Sequence, residues 1–203
     1  MKYYLKQAGI PLLYIILMAG TAAGILCIEG EYLTWLRILL LAANLVLYIV
    51  LVAVLAHKDG EDSIRVRVAN DLERREIIRT GEDRQLKLNE EYKPWKGFFI
   101  GFITCIPLII LLLIHTILFY GVGPHMNGAG ALAMYGYSMI TGFLWAGEVV
   151  TILPWHYYLT LISVPILSCA FGFPYIVGAK KIERQQEMIR QKHRQIYGED
   201  PQK

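Results

Sequence analysis

The groups able to bind a metal or move a proton are few and scattered: five histidines, three cysteines and 17 carboxylates in 203 residues. His125, Glu148 and His156 fall within one segment, and imidazole with carboxylate is a donor set that suits zinc. No H-x-x-x-H or H-E spacing places two of them on one helix turn, so the trio defines a loose polar site, not a metal centre. Cys27, Cys105 and Cys169 lie far outside metal-ligand spacing and are odd in number for disulfides. Their expected role is that of small apolar packing groups. A hydrolase built on Ser138 and His156 would need the base within hydrogen-bond reach and an oxyanion hole beside it. The run Gly136-Tyr137-Ser138 leads into Met139, with no glycine on the far side of the serine. Asp59-Gly60 with Arg65 has neither the spacing nor the later aspartates of a metal-dependent membrane phosphotransferase. No pattern calls for a cofactor. Asn44 and His115 complete the candidates for binding, because each is a strongly polar side chain inside a long apolar stretch, where such groups are functional suspects.

Those stretches are the dominant feature of the chain. Hydrophobic residues make up 55% and charged ones 18%, against about 25% charged in an average soluble domain. The charges are nearly absent from four segments: 8–28, 38–56, 98–120 and 157–179. Each is close to the roughly 20 residues that a helix needs to cross the hydrocarbon core. Segment 38–56 holds 13 Leu, Ile or Val in 19 positions. Four such helices in so short a chain would leave nothing polar to cover them in water. The sequence therefore predicts an all-α integral membrane protein with four transmembrane helices. Lys2 and Lys6 precede the first apolar run as in a secretion signal, but 21 residues exceeds the 7–15 of a cleaved one, and retention is expected.

The basic residues set the expected orientation. Two lie in the N-terminal stub, ten in 57–97 and seven after residue 179, which leaves only Arg37 on the other side of a four-span arrangement. The positive-inside rule then puts both termini in the cytoplasm of a cell membrane. The segment 121–156 has no Lys or Arg. Gly, Ser and Thr weaken it as a fifth span, and Trp145, Trp155 and Tyr135 favour an interface. It is expected as an outward re-entrant or interfacial helical hairpin between helices 3 and 4.

Four units follow: helices 1 and 2 (1–56), a charged connection (57–97), helices 3 and 4 with the outward segment (98–179), and a basic tail (180–203). The connection carries ten acids beside its ten bases, so it lacks the basic excess that nucleic acid requires. Within it Asn70-Asp71 is expected to cap a new helix and Gly81 to end it. Ile64–Val68 alternates like a strand, a signal too short to separate strand from helix. Pro107, Pro165 and Pro174 predict bends in spans three and four. Gly20-x-x-x-Gly24 and Gly97-x-x-x-Gly101 predict close helix contacts. The tail 180–197 should continue span four as a helix, with Ile182, Ile189 and Ile196 recurring every seven residues.

The partners expected are the lipid bilayer together with a membrane protein or further copies of this chain. The function expected is that of a non-catalytic accessory or assembly subunit of a membrane complex. A small oligomeric transporter or channel subunit is the second reading, and a membrane enzyme working near Glu148 and His156 the third.

Overall fold

The computed structural model describes residues 2–28, 30, 33–81, 86–122, 128–144 and 154–197, without the side chains of 2, 122, 144, 154–156 and 197. These residues form α1 (Lys2–Leu26), α2 (Thr34–Thr80), α3 (Lys96–Ile103), α4 (Ile106–Val122), α5 (Gly128–Gly136), α6 (Ser138–Thr141) and α7 (Ser163–Tyr197), with 3-10 turns at Gly142–Leu144 and Pro154–Ile162. The described residues contain no strand. The regions around α1, α2 and α7 are each long and apolar enough to cross a membrane, and α3 with α4 makes a fourth if the bent pair is one span. Ile16, Leu39, Val54, Leu113, Ile117 and Phe173 are among many large apolar side chains pointing outward. So much exposed hydrocarbon is a surface for lipid, not for water.

The expected bend lies between α3 and α4, at 44°. Pro107 has no N–H to give the carbonyl of Ile103, so the helix ladder is interrupted there. Thr104 and Cys105 form the turn, and the hydroxyl of Tyr137 donates to the carbonyl of Thr104 at 2.8 Å. Thus Tyr137, at the junction of α5 and α6, caps the break. Ser138, Met139, Ile140 and Thr141 are all buried.

The largest departure from the sequence reading is α2. It runs unbroken through Ala56, Gly60 and the charged connection to Gly81, so helix 2 and the first half of the connection are one element. Asn70-Asp71 does not start a helix. Asn70 sits mid-helix and buried, and the alternating Ile64–Val68 is helical. Gly81 does end the helix: its φ of 72° is the left-handed cap conformation, and its N–H bonds the carbonyl of Ile77 at 2.8 Å. Likewise α7 continues without interruption from span four into the basic tail.

Gly60 is tolerated in a helix interior because α7 passes against it. A Cβ on Gly60 would collide with the Tyr175 carbonyl, and one on Gly178 with the carbonyl of His57. Further along, Ile64 packs with Ala179 and Ile182, and Arg67 bonds Glu183 at 2.8 Å. Both residue numbers rise together, so α2 and α7 are parallel. Of the two glycine pairs named above, Gly97 lies under Tyr175 and Gly101 against Leu167 and Ser168. Among the described residues, nothing beyond their own turn of helix comes within 4 Å of where a Cβ on Gly20 or Gly24 would sit.

Candidate functional site

The buried charges converge at one end of the bundle, where α1 begins and α2 and α7 project. Lys96, at the start of α3, is 0% exposed, and Asp59 of α2 is 9% exposed. Gly97 lets α3 lie flush on Tyr175, and that close approach buries the lysine next to it. The Lys96 ammonium donates to Ser63 Oγ at 3.2 Å and to the Glu90 carbonyl at 3.0 Å. It also lies 4.1 Å from the centre of the Tyr3 ring. Tyr3 in turn donates its hydroxyl to Asp59 Oδ1 at 3.0 Å. Oδ2 of Asp59 has no hydrogen-bond partner among the described residues.

Burial dominates the electrostatics of this cluster. It pushes the Lys96 ammonium down to about 8, against the opposing pull of Asp59 and Glu90. It raises the Asp59 carboxyl, with Lys96 and the Tyr3 hydrogen bond acting the other way. Tyr3 is raised as well, by burial first and by the neighbouring Asp59 second. Two groups of opposite charge are thus held out of water with Tyr3 between them.

A latch closes over the cluster. The backbone N–H of Tyr92 bonds the Ser63 carbonyl at 3.1 Å, and its ring stacks on Tyr175 at 5.5 Å. Asn70 Nδ2 donates to Glu91 at 2.7 Å while Asn70 Oδ1 accepts the N–H of Lys87 at 3.2 Å. Arg74 joins Glu91 at 2.9 Å. The residue expected to cap a helix instead ties the strap 86–95 to the side of one.

Beside the cluster opens a cavity of about 210 Å³, lined by Gln7, Ile10, Leu55, Lys58, Asp59, Asp62 and Phe171. Its polar walls come from Gln7, Lys58 and the two aspartates, its apolar ones from the other three.

The site residues expected from sequence lie elsewhere. His125 and Glu148 are outside the described residues. His156 falls in the 3-10 turn Pro154–Ile162, and its side chain is outside them too. His115 is 1% exposed in a nest of rings, with Tyr157 4.4 Å and Phe119 6.1 Å away between centroids. Gly130 leaves room for its imidazole. Asn44 spans two helices: Nδ2 donates to the Met18 carbonyl at 2.9 Å and Oδ1 accepts from Thr21 at 2.8 Å. No group of three His, Cys, Asp or Glu able to hold a metal occurs among the described residues.

Sequence reading missed Lys96 and Asp59 as a pair. Lys96 reads as a headgroup anchor beside Trp95, and besides Glu90 its partners come from two distant segments, the start of α1 and the middle of α2. The one local signal is Gly97-x-x-x-Gly101, which promises a close contact that must bury whatever precedes it. No known family, curated protein or solved structure matches the chain.

Proposed function

We propose that this is a four-span membrane protein with both termini in the cytoplasm, acting as a non-catalytic accessory subunit that engages a partner through the arm formed by α2 and α7. The orientation rests on the basic residues, and α5 with α6 is the re-entrant segment, dipping between α1 and α4 from the outer side.

The observation that carries the reading is the arm itself. Residues 57–80 of α2 and 180–197 of α7 continue their spans by about 36 and 27 Å at 1.5 Å per residue. Membrane anchorage alone requires neither. Packing of Ile64 on Ile182 begins a seam along α7 that α2 does not cover to its end: Ile189 and Ile196, at successive steps of seven, are 67% and 71% exposed. An apolar seam with that spacing suits another helix. Six Lys or Arg against two Glu in 180–197 make two copies of this helix repel, so the occupant is an acidic amphipathic helix of a partner subunit. The interior between the spans favours support over transport, since Ile15, Ala22, Leu41, Tyr48, Val52, Leu108, Leu112 and Met139 fill it.

The test combines native mass spectrometry of the protein extracted in mild detergent with a solute-flux assay in vesicles. A complex of fixed stoichiometry with one acidic subunit, dissociated by I189E/I196E but not by a change on the exposed face of α2 such as Arg75→Gln, supports the assignment. A protein without such a subunit that carries solute across vesicles overturns it in favour of a transporter.

A further inference from the structure

We propose that the cavity beside Asp59 is a binding site for the headgroup of an aminophospholipid, with the lipid ammonium at Asp59 and Asp62 and its phosphate at Lys58. Asp59 is 9% exposed, one of its oxygens is bonded only to Tyr3, and the other has no partner among the described residues. The nearby Lys96 ammonium is committed to Ser63, Glu90 and the Tyr3 ring. Lys96 attracts Asp59 across the Tyr3 ring but gives it no hydrogen bond; an unsatisfied buried carboxylate oxygen is costly, and a ligand ammonium would supply the missing donor.

The cavity wall defines the cation. Asp59 and Asp62 lie one helical turn apart on α2, so both carboxylates belong to the same face. Asp62 is half exposed and shared with Arg65 at 3.4 Å, which places it at the mouth of the cavity. Lys58 adds a positive charge, and Gln7 a neutral amide. A bare metal ion would gain nothing from the lysine or from Ile10, Leu55 and Phe171. A zwitterion with a hydrocarbon tail uses them all.

Position along the helices points to the same ligand. Gln7, Lys58, Asp59 and Asp62 lie just beyond the predicted spans, while Ile10 and Leu55 lie just within them and Phe171, deeper in its span, closes the apolar side of the same cavity. The polar half of the cavity is therefore at headgroup depth and the apolar half at the start of the acyl chains, an assignment that rests on the four-span orientation proposed above. A primary ammonium can donate hydrogen bonds to the two carboxylates, whereas the methylated ammonium of a choline headgroup cannot.

The experiment is native mass spectrometry of the protein released from nanodiscs that contain equal amounts of phosphatidylethanolamine and phosphatidylcholine with identical acyl chains. The intact protein should retain phosphatidylethanolamine over phosphatidylcholine by about tenfold. Asp59→Asn and Asp62→Asn should each erase the preference, and Lys58→Gln should weaken both lipids alike. Ile10→Trp, which fills the apolar half from a half-turn inside the membrane edge, should displace the retained lipid even if Asp59→Asn fails to fold. Equal retention of the two lipids, or an unchanged preference in Asp62→Asn, overturns the proposal. So does full competition by soluble phosphoethanolamine, which would make the ligand a free amine, or by potassium ions, which would make it a metal cation. None of these results depends on whether the distal arm finds its partner subunit.

Discussion

The two ends of the bundle are built on different principles. At the end where α5 and α6 pack, the spans meet through side chains: Leu41, Leu108, Leu112, Ala133 and Met139 interlock, and the buried His115 is surrounded by aromatic rings. At the other end the helices meet through backbone. Gly60 and Gly178 bring α2 and α7 into direct contact, and the same closeness holds Lys96 and Asp59 away from water. Side-chain packing tolerates exchange of one apolar shape for another, while backbone contact and buried charge tolerate almost nothing. The demanding construction is at the base of the projecting arm, where the relative direction of α2 and α7 is set.

Substitutions that reverse this contrast would break it. The largest effect is expected for Gly178→Leu, whose side chain has to occupy the position of the His57 carbonyl. A loss of more than about 4 kcal/mol, read as failure to recover monodisperse protein, is the expected outcome. Gly24→Leu, at a position with open space, should be recovered like the parent protein. Next comes Lys96→Met, which deletes an ammonium with two hydrogen bonds and a ring contact. It should cost about 2–3 kcal/mol in unfolding by denaturant in detergent. His115→Phe at the opposite end, a swap of one planar ring for another among aromatic neighbours, should cost under about 1.5 kcal/mol. Asn44→Leu removes two bonds to α1 and should cost about 1 kcal/mol, the usual scale for interhelical hydrogen bonds in membranes.

The pH dependence sharpens the contrast more finely. The Lys96 ammonium is depressed to about 8 in the fold and lies near 10.4 in an unfolded chain. Between those values the unfolded state holds the proton that the folded state has released, so this group adds stability as pH rises. The melting temperature of the parent protein, measured relative to Lys96→Met, should climb from pH 8 to pH 10. A flat difference would mean that Lys96 is not buried in the folded protein.

Much of this fold is legible before any coordinates. Apolar runs of the right length give the spans, Pro107 gives the bend, Gly81 gives the end of α2, and the run past Ala179 gives the continuous α7. What escaped the sequence has a common cause. The break expected between span two and a new helix at Asn70 does not occur, and Gly60 within that unbroken helix is explained by Tyr175, 115 positions away, whose carbonyl leaves no room for a Cβ. Asn70 reads as a cap because its local pattern fits one, and a strap that returns from residue 86 uses its amide instead. Lys96 and Asp59 gain their meaning from Tyr3, Ser63 and Glu90, contacts that no periodicity encodes. Local pattern yields the elements, and contacts between distant segments yield the site.

On the function proposed here, the membrane-embedded part is a support and the arm of α2 and α7 is where a partner is met. Site-specific photo-crosslinking in native membranes tests it most directly, with the probe placed in turn at Ile189, Ile196, Leu39 and Leu113, all exposed. One discrete adduct with the same acidic protein is expected from both arm positions, abolished by charge reversal of Arg190 and Lys192, with lipid adducts only from Leu39 and Leu113. Discrete protein adducts from the two span positions, with none from the arm, would contradict it.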